Sequence, residues 1–400
     1  MHPASLPLDN VRVIEICNVA AGPFCGLLLA DMGAEVVKIE PPGGDMLRHW
    51  PPHTKGYSEN FASLNRGKRS IVLDLKAKTD LAIAAELVLG ADVVLENSRP
   101  GVLDRLGLGY TALSARHPSL VYCSISAYGQ SGPRARQGGF DVTMQAASGI
   151  MSVTGEPGGV PVKCGVPVAD FTAGLYGAYA ICAALLRVRA GGAGTHVDVP
   201  MLGTSLAIAA LQTSEYFGSG TDPRALGSSH PRNAPYQAFR ALDRAFVIAA
   251  GNDKLWRTVC EIVGQPDLAA DPRFLDVALR ARNQVALAAL LNACFGRRPA
   301  AEWVARFAES GVPVSLINTY SEALADEQVA ASGWVAPLTL PNGAETRTFI
   351  SPLRMNGAPI PVRSGPPALD GDRAAILGML GAGPDDGDGQ VAAIQEVVDG

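Results

Sequence analysis

The 400-residue chain has little charge, with Lys and Arg totalling 33, Asp and Glu 38, and charged residues making 18% of the whole. With a net charge of −5 and no basic run, nucleic acid is not an expected partner. The seven cysteines, at 17, 25, 123, 164, 182, 260 and 294, never form a C-x-x-C pair. Neither a disulfide framework nor a zinc cluster is legible, and the six histidines show no H-E-x-x-H spacing, so no metal is expected. The longest apolar run, residues 173–186, is shorter than the roughly 18 residues of a membrane span and reads as a buried helix. The first 15 residues carry Asp9 and Glu15 and no secretory pattern, so a cytoplasmic protein with no membrane partner is expected. Walker A and G-x-S-x-G motifs are also missing, and Gly107-Leu-Gly-Tyr-Thr-Ala112, the nearest approach to a dinucleotide loop, follows no strand.

What the chain has in quantity is glycine (44) and proline (29), with 48% hydrophobic residues. It turns often and buries much, which excludes coiled coils and long helical arrays. Residues 11–16 (VRVIEI) and 35–40 (EVVKIE) read as strands around a helix at 24–32, a βαβ footprint. The alternation repeats with strands at 70–74, 92–96 and 120–126 and helices at 79–89 and 110–116, which predicts an α/β domain with a mainly parallel sheet. Residues 127–169 are rich in glycine and read as a long ordered loop region. A helix over 171–190, a strand at 196–199 and one helix from 201 to about 217 follow.

The stretch 218–235 reads as a linker. A small α+β domain over 236–324 comes next, with a strand at 246–250 and helices after Asn252, near 281–295 and at 300–310. A further helix at 320–330 and strand-like segments over 335–370 follow, and 325–400 is assigned to the large domain with 1–217. The acidic tail is expected to fray.

Among single residues, Asp170 stands between a glycine-rich loop and an apolar helix. As an N-cap it would accept first-turn amides, and the same geometry would present an ionised carboxylate nucleophile to a cleft. Lys68, Arg69, Lys76, Arg99 and Arg105 lie near strand ends, as surface charge or as phosphate partners. Glu15, Glu35, Glu40 and Asp45 read as strand-end and loop charges, and His230 as a surface residue of the linker.

Taken in order, several stretches resemble the class III coenzyme A transferases, the group that includes formyl-CoA transferase, carnitine CoA-transferase and α-methylacyl-CoA racemase. They are AAGPFCGLLLADMGAEVVKIEPPGGDMLR (20–48), NRGKRSIVLDLK (65–76), ADVVLENSRPGVLDRLGLGY (91–110), the segment 124–155, GVPVADFTAG (165–174), GTHVDVPML (194–202), APYQAF (234–239) and GNDKLW (251–256). The resemblance spans nearly the whole chain. It implies a discontinuous Rossmann-like large domain, a smaller α+β domain and an interlocked homodimer.

The resemblance further implies that Asp170 attacks an acyl-CoA to form an aspartyl-acyl anhydride and then an aspartyl-CoA thioester, from which coenzyme A passes to a carboxylic acid. No cofactor is held tightly; coenzyme A and its thioesters, succinyl-CoA among them, are substrates. Ala20, Ala21, Leu73, Asp74, Leu75, Lys76, Asn97, Ser98, Arg99, Arg105, Gly138, Gly139, Phe140 and Asp141 are implied to line the CoA site, with Lys76 and Arg105 meeting phosphate. His230 and Arg232 offer cations for a second substrate carboxylate. Two alternatives are an acyl-CoA racemase of the same fold and a noncatalytic acyl-CoA binder. Racemase chemistry needs a histidine where this chain has Phe140.

Overall fold

Consecutive residues of the predicted strands point to two different cores, as strands covered on both faces require. Val13, Val36, Val93, Leu95, Val121 and Cys123 pack into one core, whereas Ile14, Val37, Val94 and Tyr122 pack into the other. The computed structural model describes residues 5–380, so the acidic tail lies outside the described residues. Within them the chain divides into two compact units, one of residues 5–150, 163–220 and 328–380, the other of 151–162 and 221–327.

The larger unit is built on six parallel strands: β1 (Arg12–Ile16), β2 (Glu35–Glu40), β3 (Lys68–Val72), β4 (Val93–Glu96), β5 (Val121–Ser126) and β6 (Thr195–Pro200). Their spatial order is β3-β2-β1-β4-β5-β6, and every pairing is parallel. That order reverses direction between β1 and β4, and open α/β sheets hold ligands outside the carboxyl ends of the strands at such a reversal.

The crossovers carry α1 (Ala21–Asp31), α2 (Glu59–Asn65), α3 (Lys78–Leu89), α4 (Tyr110–Arg116), α5 (Asp141–Ala147) and α6 (Val168–Arg189). Helices α1 and α6 cover one face of the sheet, and α3 and α4 the other. The stretch 127–169 is therefore not loop throughout: it holds α5 and a 3₁₀ turn at Ile150–Val153. The apolar run at 173–186 belongs to a longer helix, α6, whose 22 residues are enough in length and apolarity to cross a membrane. Its inner side is occupied by the sheet and α1, with Ala173, Ile181 and Leu185 in the core.

The predicted helix 201–217 is broken at Ala209 into α7 (Met201–Ile208) and α8 (Ala210–Ser219). The strand-like C-terminal stretch forms a hairpin, Val335–Thr339 with Glu345–Phe349, and a shorter one at 354–359. A final helix, Arg373–Leu380, returns Ile376 to the α3–α4 core.

The smaller unit pairs β7 (Tyr236–Arg240), β8 (Ala245–Ala249) and β9 (Val314–Leu316) antiparallel, in the order β9-β8-β7. Its core is aromatic, with Phe295 edge-on to Phe239, Phe246, Trp303 and Phe307. Arg280 is fully buried there. It donates to the carbonyls of Ala234 (2.9 Å) and Phe274 (3.1 Å) and pairs with Asp253 (2.7 Å), so the buried charge is met on every side. The predicted helix over 320–330 is two short pieces, Tyr320–Leu324 in this unit and Glu327–Ser332, which from residue 328 on belongs to the larger one.

Candidate active site

At the carboxyl ends of β1 and β4 the turn into α1 is fastened by one amide side chain, which bonds both backbone groups of Asn18. Asn97 Oδ1 accepts the Asn18 N–H (2.9 Å) and its Nδ2 donates to the Asn18 carbonyl (2.8 Å). The next residue, Val19, has φ +66°, a conformation in which a β-branched residue is strained. Its amide donates to Asp45 Oδ1 (3.2 Å).

Asp45 is itself fixed from below. Lys38 pairs with Asp45 (2.9 Å) and Glu15 (2.9 Å), and Glu15 pairs in turn with Lys68 (2.8 Å), all of these side chains being wholly buried. Burial works against the Glu15 carboxylate, yet the two ammonium groups outweigh it and hold its pKa below the ordinary value. Glu15 and Asp45 are thus not loose strand-end and loop charges. Lys68, which also donates to the Pro23 carbonyl and Asn65, is an internal brace unavailable to a ligand phosphate. Glu40 is buried too, bound by Arg48 (2.7 Å) and Ser70, and Arg69 is paired with Glu35 (2.8 Å). Charged residues inside apolar strands were the available sequence signal for this network.

Asp170 lies in the first turn of α6, at the same edge of the sheet, because α6 runs antiparallel to the strands it joins. The helix begins after Pro167, so Asp170 is its third residue and not its cap. The cap-like bond comes from Asp141, whose Oδ1 accepts the Ala169 N–H (2.9 Å) while Oδ2 accepts from Gln145 (2.7 Å). Gln145 Oε1 in turn accepts the Cys164 amide (2.8 Å), which ties the loop before α6 to α5.

Among the described residues no donor is hydrogen-bonded to the Asp170 carboxylate. Burial, with the Asp141 charge added, pushes its pKa up to about 7. The expectation of a carboxylate held ionised by first-turn amides is therefore reversed by its surroundings. One turn on, Gly174 lets α6 approach α1: a Cβ there would stand 2.8 Å from the Ala21 carbonyl and 3.2 Å from the Cys25 nitrogen. Phe171 meets Phe24 at 4.6 Å between ring centroids. These contacts set the Asp170 turn beside Ala20 and Ala21.

The other predicted CoA residues sit on loops of this edge. Leu73 is buried, so it offers backbone only, and Asp74 accepts the Lys76 amide (3.0 Å). Lys76, Arg99 and Arg105 are exposed and have no acidic partner among the described residues, which leaves them free for phosphate. Ser98 donates its amide to Glu96 (2.7 Å). Gly138 and Phe140 are exposed, Phe140 by 69%, and Gly139 is packed so closely that a Cβ would fall 2.8 Å from Ala127 and Met144. His230 and Arg232 belong to the smaller unit, where the His230 ring accepts the Arg232 amide (3.1 Å) and lies against Tyr236 (5.0 Å). Among the described residues no group of His, Cys, Asp and Glu is placed to hold a metal ion.

A family model for CoA-transferase family III matches residues 8–373. The chain is 39% identical to acetyl-CoA:oxalate CoA-transferase of Acetobacter aceti over 92% of this chain and 95% of that one. It is 38% identical to succinate–glutarate CoA-transferase of Agrobacterium fabrum, over 94% and 96%. In structure it matches a CAIB/BAIF family protein from Brucella suis with a TM-score of 0.84 at 38% identity, covering 94% of this chain and all of the other. A hypothetical protein from Mycobacterium tuberculosis gives a TM-score of 0.83 at 31% identity, over 94% of this chain and 100% of that one. With the match running almost from end to end, the chain belongs to CoA-transferase family III and is an enzyme of that family.

Proposed function

We propose that this enzyme moves coenzyme A from a short acyl-CoA to a dicarboxylic acid, with Asp170 as the covalent carrier. The observation that carries the reading is the Asp170 carboxyl, unbonded among the described residues, at the strand-end crevice beside the start of α1. An Asp170 oxygen attacks the thioester carbonyl, the C–S bond breaks, and CoA thiolate leaves an aspartyl-acyl anhydride. The thiolate then attacks the aspartyl carbon and releases the donor acid, giving an aspartyl-CoA thioester. The acceptor carboxylate attacks that thioester, and thiolate attack on the acceptor's acyl carbon of the new anhydride returns Asp170 as carboxylate. No step consumes a net proton, so the thioester's energy is conserved throughout.

Lys76, Arg99 and Arg105 are suited to the coenzyme's phosphates, and the parallel sheet is read as a Rossmann-like support for them. Relatives named for oxalate, glutarate, mesaconate and D-citramalate support a dicarboxylate acceptor, and those named for succinyl-CoA support it as donor. His230 and Arg232 are proposed for the second carboxylate. Phe140 cannot shuttle a proton, which disfavours the racemase.

We also read the enzyme as an interlocked homodimer. Helices α6–α8 leave Tyr179 (73%), Leu186 (71%) and Phe217 (83%) bare on this chain, an apolar surface of the kind that subunits cover.

The test is incubation with succinyl-CoA and hydroxylamine, followed by peptide mass spectrometry. A hydroxamate at Asp170, together with loss of transfer to glutarate or mesaconate in Asp170→Ala, is expected. Unimpaired transfer by Asp170→Ala would refute the role given to it.

A further inference from the structure

On the sheet face opposite Asp170, the end of β4, the middle of β5 and the start of β6 border a small polar cavity of about 60 Å³, lined by Glu96, Arg99, Asp104, Tyr110, Ser124 and His196, among others. Alternation places Glu96, Ser124 and His196 on the α3–α4 side of three adjacent strands, since their neighbours Val94 and Tyr122 lie in that core. His196 Nε2 is 2.9 Å from Ser124 Oγ. Its ring is stacked on Tyr110 (5.1 Å) and met edge-on by Tyr122 (5.4 Å), so it has one orientation. Ser124 stands opposite Glu96 in the β4–β5 register, and Glu96 Oε2 accepts the Ser98 amide at 2.7 Å.

When Glu96 is ionised it can only accept, and the Ser98 N–H is the donor that meets it. That bond ties the end of β4 to the loop that begins with Asn97, whose side chain also clamps Asn18.

We propose that Glu96 is the positioning residue of the 97–99 loop, holding it through the Ser98 amide, with Ser124 and His196 beside it in the cavity. The inference rests on the reading of that loop as a coenzyme A contact. Burial, with a smaller addition from the Asp104 charge, raises the Glu96 pKa to about 7 against the lowering effect of Ser124 and Ser98. The groups facing it are Asp104, Arg99, Tyr110, Tyr122 and His196. Burial lowers the His196 pKa, so the ring is neutral in the range where Glu96 titrates. The ionised carboxylate is the stronger acceptor, and the loop is held more firmly as pH rises through 7.

Glu96→Gln is the test, with amide hydrogen exchange of segment 97–101 and steady-state kinetics as its two readouts. Exchange is expected to be about 10-fold faster in the variant at pH 8, with KM for the CoA thioester raised by about the same factor and kcat within about twofold, the loss of a charge-assisted bond. The pH dependence of coenzyme A affinity between 6 and 8 should flatten relative to the parent. Ser124→Ala, which keeps the carboxylate, should give a smaller change in the same direction, and carries the test if Glu96→Gln does not fold. Unchanged exchange over 97–101 overturns the proposal, as does a fall in kcat with KM intact. A parent enzyme that does not bind coenzyme A would refute the functional reading, while the exchange measurement would still decide the role of Glu96.

Discussion

A carboxyl that serves as nucleophile must be ionised, and Asp170 pays for its isolation with a pKa of about 7. The rate of aspartyl-anhydride formation should therefore rise with pH and level off above about 7. Asp141→Asn removes the neighbouring charge and should move this limb to lower pH, read as kcat/KM against pH. The same shift bears on stability. The folded state holds its Asp170 proton more tightly than the unfolded chain, whose value is 3.8, so this group's contribution is full below 3.8 and is lost as pH rises to about 7. Asp170→Asn, which cannot ionise, should melt a few degrees higher than the parent at pH 8 and no higher at pH 3.5. Equal melting points at pH 8 would place the carboxyl in solvent. The position of Asp170 was legible from its loop–helix junction. Its charge state was not, because the burial that raises its pKa, with the smaller addition from Asp141, exists only once the fold has formed.

Whole elements were read more securely than their contacts. Strands β1, β2, β4 and β5 and helices α3 and α4 announce themselves by β-branched runs or by apolar spacing, and they form close to where that spacing puts them. The pieces that went unread, such as α2, α5 and the break at Ala209, are short, and tertiary packing decides them. The buried ion network was equally hidden, since Glu15, Lys38 and Lys68 come from three strands and meet only once β1, β2 and β3 are side by side. Helix α1 passes over that network on glycine. A Cβ at Gly26 would stand 2.0 Å from Glu15 Oε2. Gly26→Ala is expected to cost about 3 kcal/mol or more, because it overpacks a site where a displaced carboxylate is left unpaired. Gly378→Ala, in the last helix with open space around it, should instead stabilise by about 0.5–1 kcal/mol. Urea titration of both variants checks the contrast, and a neutral Gly26→Ala would remove the network from the account of stability.

At the scale of the whole molecule, low charge and bare apolar helices pose one question. Charged residues make 18% of the chain, below the roughly 25% of typical usage, and the most apolar window of α6 is only 39% buried within one chain. Water against Tyr179, Leu186 and Phe217 is unfavourable by about 25 cal/mol for each Å² of apolar surface, so the proposed second subunit has a definite driving force. The parent should run as a dimer in light scattering at micromolar concentration. Tyr179→Glu with Leu186→Glu should shift it toward monomer, since a carboxylate buried without a partner is costly. Interlocking adds a kinetic signature that side-by-side packing lacks. Threaded chains cannot part without opening one of them, so two differently tagged dimers, mixed in native buffer, should fail to form hybrids over hours and should form them after unfolding and refolding together. Rapid hybrid formation in native buffer would leave the dimer but remove the threading, and a monomeric parent would remove both.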